Sequence, residues 1–433
     1  MGDTIFALSS APGRAGIAVV RISGPAAEKI AAGLSGSLPE PRRASLRVLA
    51  GSDGAAIDQA MVLWLPAPGS FTGEDVVEFQ VHGGRAILER LFAEIAMFAG
   101  TRPAEPGEFT RRAVENGRLD LTQAEGLLDL IDADTEGQRR QALRHYGGGP
   151  GHTYEGWRGR LIRVLAWAEA QIDFSDEDLP GGIQSDVIAR IDELAGEMDA
   201  HLRDGRRGEI TREGLFLTVI GPPNAGKSSL VNALARRDVA IVAETAGTTR
   251  DIVEVRLDIG GYAVIVADTA GLREAADAVE TEGIRRALAR AEQSDLVLLL
   301  LDATAPQGGL LDGPARAPDL VFWNKTDVSP APPGASGLSL RTGDGLDKLL
   351  MELDKIVSSR MEAGREGAII TRARHRLALS QALTALGRAR DAAQPELLAE
   401  DLRLAVREIG RITGRVDVED LLDVVFRDFC IGK

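Results

Sequence analysis

Residues 215–234 read LFLTVIGPPNAGKSSLVNAL, and this stretch decides the fold. A short apolar run rich in β-branched residues ends at a glycine, Gly221 to Ser228 satisfy G-x-x-x-x-G-K-[ST], and a helical pattern follows at once. Strand, glycine-rich turn and helix in that order predict a phosphate-binding loop. Its glycines let backbone N–H groups wrap an anion, Lys227 reaches the phosphate oxygens, and Ser228 ligates Mg²⁺. The nucleotide contacts expected from the loop are Asn224, Ala225, Gly226, Lys227, Ser228 and Ser229. A glycine-rich turn without a ligand is the plainer alternative, and the motifs behind it argue against that.

Downstream, Asp268, Thr269, Ala270 and Gly271 close the strand pattern AVIVAD. A carboxylate there can hold Mg²⁺ through water, with a glycine amide near the terminal phosphate. Thr248, Thr249, Arg250 and Asp251 fall between the two elements, where a switch threonine, Thr249, would close over the metal. Asn324, Lys325 and Asp327 follow the strand LVFW. One carboxylate accepts from both N1–H and the 2-amino group of guanine, and adenine presents no such pair of donors. Asp327 therefore selects GTP. Ser339, Leu340 and Arg341 read as the last guanine-contacting loop, with Leu340 where a small residue is usual and its backbone amide expected to serve instead. No glutamine follows Gly271 until Gln293, so the attacking water needs another orienting group. The acidic stretch 274–282, EAADAVETE, either folds over the site or is a solvated helix start with acids at its positive end; both readings stay open.

Strand patterns alternate with helical ones across 211–357, which predicts a parallel sheet with crossover helices. Residues 1–118 read as strand-rich α/β, carried by GIAVVRIS, AMVLWLPA and DVVEFQVH with one helix near 86–98. Residues 119–210 turn helical and end in the Gly/Arg linker DGRRGE (204–209); helices return after about residue 370. The expected division is 1–118, a helical domain of 119–210 and 358–433, and a nucleotide domain of 211–357 inserted into it. Residues 330–337, PAPPGASG, read as a surface loop.

The 433 residues carry a net charge of −15, with 10 Lys/Arg against 19 Asp/Glu in 119–210 and 15 against 21 in 211–357. Such a chain binds nucleic acid only through a local basic face. Arg403, Arg407, Arg411 and Arg415 recur every four residues and are candidates for nucleic-acid phosphates; a solvated helix face paired with the acidic helices is the plainer reading. One cysteine excludes a disulfide framework and fits a reducing compartment. The N-terminus lacks a basic region followed by an apolar core, and the aliphatic run Leu296–Leu301 is far short of the ~20 residues that span a bilayer. A cytoplasmic protein without membrane attachment is expected.

The segments FTGEDVVEFQVHGG (71–84), RPAEPGEFTRRAVENGRLDLTQAEGLLDLI (102–131) and DLLDVVFRDFCIGK (420–433), together with the nucleotide motifs, resemble the MnmE (TrmE) family of tRNA-modification GTPases. The resemblance spans essentially the whole chain. It implies an N-terminal folate-binding and dimerisation domain, a homodimer, and a heterotetramer with the flavoprotein MnmG. The implied activity is GTP hydrolysis coupled to placing an aminomethyl or carboxymethylaminomethyl group on C5 of a tRNA wobble uridine. The implied one-carbon donor is a tetrahydrofolate derivative, 5,10-methylene or 5-formyl. The family's folate contacts fall on Arg21, Glu78, Arg118 and Lys433, with arginine at 118 where lysine is frequent. A carboxylate such as Glu78 suits the amino-pyrimidine edge of a pterin, and cations suit its glutamate tail; a surface ion pair is the bland alternative.

The resemblance further implies K⁺ coordination by Asn224 with Ala243, Thr245 and Thr248, in the loop Ala243, Glu244, Thr245, Ala246, Gly247, Thr248. Mg²⁺ falls to Ser228 and Thr249, water positioning to Glu280, and the catalytic set is Glu280, Lys227 and Arg250. Cys430 is read as a buried structural thiol or as a folate-site thiol that packs or reacts; a prenylation box is disfavoured by the terminal lysine. A GTP-switched RNA-binding or ribosome-assembly factor would explain 215–357 equally well, but not 1–118 or the terminal CIGK.

Overall fold

The computed structural model describes residues 2–173, 183–203, 206–241, 254–267, 294–305, 316–362, 370–416, 422, 425–426 and 429–432. They form two compact units, 1–128 with 145–163 and 403–433, and 129–144 with 164–402.

The first unit is built on a six-stranded sheet of order β3-β4-β5-β2-β1-β6. Its strands are β1 (Thr4–Leu8), β2 (Ala18–Ser23), β3 (Ser45–Ala50), β4 (Ala56–Leu65), β5 (Val76–Val81) and β6 (Thr101–Pro103). All pairings are antiparallel except β1 with β6. Side chains alternate between faces along a strand. Val20 and Ile22 of β2, Val77 and Phe79 of β5 and Phe6 of β1 therefore share one face with Ile30 and Leu34 of α1 (Ala27–Ser35) and Leu91 and Ile95 of α2 (Arg85–Ala96). Ile5 and Ala7 take the opposite face, with Phe109 of α3 (Glu108–Glu115) and Phe71. The alternation that buries Val20 and Ile22 thus delivers Arg21 to the Phe109 side.

An ion network holds α3 to β6 and the N-terminus. Arg102 Nη1 and Nη2 donate to Glu108 Oε2 and Oε1 at 2.8 and 2.5 Å, and Arg112 donates to Glu108, Asp3 and Glu74 at 3.0, 2.8 and 3.1 Å. Burial alone would raise the Glu108 carboxyl, but hydrogen bonds from Arg102, the Glu105 N–H and Arg112 outweigh it and hold it below the usual range. Helix α4 (Leu121–Ile131) packs Leu121, Ala124 and Leu128 against Leu422, Phe426 and Phe429, which fixes the chain end in this unit.

The second unit contains a seven-stranded sheet of order β13-β12-β11-β7-β10-β9-β8. Its strands are β7 (Leu215–Ile220), β8 (Ala240–Ile241), β9 (Glu254–Ile259), β10 (Tyr262–Ala267), β11 (Leu296–Asp302), β12 (Leu320–Asn324) and β13 (Ser336–Gly337). Every pairing is parallel except those of β9, which runs antiparallel to β8 and β10. Leu215, Leu217 and Val219 of β7 face a core that also takes Leu230 and Leu234 of α9 (Lys227–Leu234) and Leu349 and Leu353 of the helix Leu346–Glu362. Central β7 lies between β10 and β11, so the loop at its carboxyl end opens where the strand order reverses, the place where open α/β sheets bind ligands. Further helices among the described residues are α5 (Glu136–Tyr146), α6 (Gly149–Asp173), α7 (Ile183–Leu202), Ala373–Asp391 and Pro395–Thr413.

The fold is the multidomain α/β architecture expected, with two departures in detail. Part of the stretch read as a linker is α8 (Arg207–Glu213), stabilised by buried Glu209, which accepts from Arg206 and Arg376 at 2.8 and 3.1 Å. The surface loop 330–337 ends in β13, two residues that extend the sheet from β12.

Candidate functional site

The loop after β7 depends on backbone conformations that few residues accept. Gly221 has φ +152°, and a Cβ there would lie 2.0 Å from the Leu300 carbonyl oxygen of β11. Gly226 has φ +102°, and its Cβ would lie 2.4 Å from Asn324 Nδ2. Asn224 takes the left-handed region at φ +59°, which asparagine tolerates better than most side chains. Helix α9 starts directly after Gly226 with no side-chain cap, leaving its first-turn N–H groups to an incoming anion. Lys227 Nζ donates to the Gly221 and Pro222 carbonyls, both at 3.0 Å, so the ammonium lies across the loop it is expected to serve. Ser228 sits in that same first turn, with Ser229 exposed beside it.

The side expected to read the base is tied to this loop. Asn324 at the end of β12 is buried; its Nδ2 donates to the Ala225 carbonyl at 2.7 Å and its Oδ1 accepts from the Leu340 N–H at 3.2 Å. The Leu340 amide, expected to face the base, is therefore spent inside the protein, while the side chain is half-buried against the sheet core. Lys325, at φ +65°, pairs with Asp302 at the end of β11 at 2.5 Å. Burial would raise the Asp302 carboxyl, but hydrogen bonds from Lys325 and Thr304 hold it below the usual range. Asp302 was not singled out from sequence; its signal was a strand, LVLLLLD, ending in a carboxylate one strand before N-K-x-D.

Asp327 Oδ1 accepts from Ser339 Oγ at 2.7 Å and Oδ2 meets Arg341 Nη2 at 2.5 Å. The Ser339 hydroxyl first, then the residue's own backbone N–H and the Arg341 guanidinium, keep the Asp327 carboxyl below the ordinary aspartate range. Ser339 is itself anchored, its N–H donating to the Asp344 carbonyl at 2.8 Å. Asn224, Ala225, Gly226, Lys227, Ser228, Asn324, Lys325, Asp327, Ser339, Leu340 and Arg341 thus belong to one set of loops above one sheet end. Ala243 to Thr249, Arg250, Asp268 to Gly271 and Glu280 lie outside the described residues, as does the acidic stretch 274–282.

In the first unit, Arg21 and Glu78 are cross-strand partners in the β2–β5 register. Their side chains pair at 2.8 Å and are 21% and 17% exposed, so the pair is neither fully solvated nor sealed. The Arg21 guanidinium stacks over the Phe71 and Phe109 rings, 5.5 and 5.7 Å from their centroids. Both phenylalanines escaped sequence reading; only their presence in the quoted family segments marked them. Arg118 is exposed and its Cγ lies 3.2 Å from where a Gly73 Cβ would stand, on the loop that carries Phe71. Ser9 Oγ donates to the Gly432 carbonyl at 2.8 Å, the Gly107 N–H donates to the Cys430 carbonyl at 3.3 Å, and Pro106 bridges Ile431. Cys430 is exposed, so the buried structural thiol expected as a default is not what the chain holds. Lys433 lies outside the described residues. Arg403, Arg407 and Arg411 are exposed on the helix Pro395–Thr413; Arg411 pairs with Glu408 at 3.2 Å and Arg415 with Glu155 at 3.8 Å.

A Gly-rich loop at the sheet switch point, a lysine across it and a carboxylate able to read guanine define a P-loop GTPase. A family model described as the MnmE helical domain matches residues 121–430, and one described as the GTP-binding protein TrmE N-terminus matches 4–118. The chain is 55% identical to the tRNA modification GTPase MnmE of Parvibaculum lavamentivorans, with 100% of both chains covered. It is 51% identical to that of Maricaulis maris and 50% identical to that of Paramagnetospirillum magneticum, again over 100% of both chains. The chain belongs to the MnmE family of tRNA modification GTPases, and it is an enzyme, a GTP hydrolase acting in tRNA modification. No helix among the described residues is long and apolar enough to cross a membrane.

Proposed function

We propose that this chain is a potassium-dependent GTPase that, with the flavoprotein MnmG, adds an aminomethyl or carboxymethylaminomethyl group to C5 of a tRNA wobble uridine. A tetrahydrofolate derivative, 5,10-methylene or 5-formyl, supplies the carbon. The working form is a cytoplasmic homodimer joined to MnmG as a heterotetramer, organised as a folate-binding domain (1–118), a helical domain (119–210 and 358–433) and a G domain (211–357).

In the G domain, Lys227 and the first-turn amides of α9 bind the phosphates, and Asp327 reads guanine. The hydroxyl of Ser228, with Thr249, suits Mg²⁺, which takes oxygen ligands. Asn224 offers a neutral oxygen on an exposed turn, suited to K⁺ together with Ala243, Thr245 and Thr248. A monovalent cation there supplies positive charge beside the phosphates, where an arginine finger is worth ~10³–10⁵ in rate. Glu280 orients water, and Arg250 and Lys227 complete the catalytic set.

In the folate-binding domain the donor set also fits its ligand. Glu78 can accept from an amino-pyrimidine edge, and Phe71 and Phe109 provide flat apolar faces beside the Arg21 cation. Arg118 and Lys433 suit a glutamate tail, and Cys430, on the docked chain end, is a candidate folate-site thiol. The half-buried Arg21–Glu78 pair, with its guanidinium over the Phe71 and Phe109 rings, carries this reading over a GTP-switched ribosome-assembly factor, which has no use for it. The test is mass spectrometry of wobble nucleosides from cells whose sole copy carries Glu78→Gln. C5-modified uridine should fall to the level of cells lacking the protein, and unchanged modification would overturn the folate assignment.

A further inference from the structure

Asp327 is a carboxylate already in use. Ser339 Oγ holds Oδ1 at 2.7 Å and Arg341 Nη2 holds Oδ2 at 2.5 Å. The two partners differ in freedom. Ser339 is 1% exposed, donates its N–H to Asp344, and its oxygen accepts from the Thr342 N–H at 3.2 Å. It orients Asp327 from the protein side and stays put. The Arg341 side chain is 74% exposed while that of Asp327 is only 9% exposed. One solvent-facing guanidinium therefore covers the edge of the carboxylate that an incoming base must reach.

We propose that Arg341 is a specificity-determining residue, competing with the 2-amino group of the base for Asp327 Oδ2. The inference rests on reading Asp327 as the guanine-recognising carboxylate. Guanine presents N1–H and the 2-amino group side by side, needs both oxygens, and displaces Arg341 into solvent. Hypoxanthine presents N1–H alone, takes Oδ1, and leaves Arg341 on Oδ2. Every guanine nucleotide must break an ion pair that an inosine nucleotide can keep, so Arg341 narrows the preference for GTP over ITP. Adenine, with no donor at N1, displaces nothing.

The experiment measures GTP and ITP affinities of the full chain by competition against a fluorescent GDP analogue, for wild type, Arg341→Gln, Arg341→Lys and Asp327→Asn. An exposed ion pair is weak, so Arg341→Gln should tighten GTP by about two- to fivefold and leave ITP unchanged. Arg341→Lys keeps the charge without the planar fork and should fall between. Loss of a cation that merely attracts phosphates would weaken both nucleotides equally, and that result would overturn the proposal. If Asp327→Asn leaves GTP affinity unchanged, the base-reading assignment falls and Arg341 with it. If Asp327→Asn weakens GTP while Arg341→Gln shifts GTP and ITP together, the role of Arg341 alone is refuted.

Discussion

Asn324 Nδ2 donates to the Ala225 carbonyl at 2.7 Å, so the loop proposed to read the base and the loop proposed to wrap the phosphates share one buried hydrogen bond. The same side chain accepts from the Leu340 N–H, which brings the third loop into register. Asn324→Ala leaves a buried carbonyl and a half-buried amide without partners. Each orphaned group costs about 1–3 kcal/mol. GTP affinity and local stability should fall together, read by nucleotide titration and by hydrogen exchange of residues 215–234. Asn324→Asp, which cannot donate to Ala225, should not rescue either.

GTP hydrolysis should be much faster in potassium than in sodium at equal ionic strength. Asn224→Ala should remove the difference yet keep nucleotide binding, because Lys227 and the amides of α9 remain. Steady-state rates in the two salts decide this; equal rates for the wild-type chain would end the potassium assignment.

Acid should loosen the Arg102–Glu108–Arg112 network in a defined direction. The Glu108 carboxyl is held below its ordinary value, so its contribution is complete above the unfolded-state pKa and lost as pH falls through the lowered folded value. Breaking a largely buried pair costs roughly 3 kcal/mol. Glu108→Gln should therefore speed hydrogen exchange across residues 101–118 near neutral pH, and the gap to wild type should close in strong acid. A gap that widens on acidification would reverse the assigned sign.

Replacing Arg403 and Arg407 with Gln should weaken tRNA binding. Each phosphate that is no longer neutralised should flatten the plot of log affinity against log salt by about one unit. An unaltered slope would assign these exposed arginines to the solvated face alone.

The candidate nucleotide site was legible because the residues proposed to take phosphate and guanine are consecutive in the chain. Gly221 to Ser228 and Asn324 to Asp327 each carry their conformation and their chemistry within one turn of chain, and local pattern suffices there. The strand reading likewise placed Arg21 and Glu78 on two strands. It could not make them partners, because they stand 57 residues apart and meet only through the β2–β5 register. The Phe71 and Phe109 rings around Arg21 come from a loop and a helix whose approach depends on packing at Ile5 and Ala7. Helix α8 hid in a stretch whose glycines Gly205 and Gly208 read as a linker, and the distant Arg376 on Glu209 helps hold it. The Arg341–Asp327 pair and the Leu340 amide turned toward Asn324 were equally out of reach. Residue types determine what a segment can bind, but which donor meets which acceptor is decided only when separated segments are packed against one another.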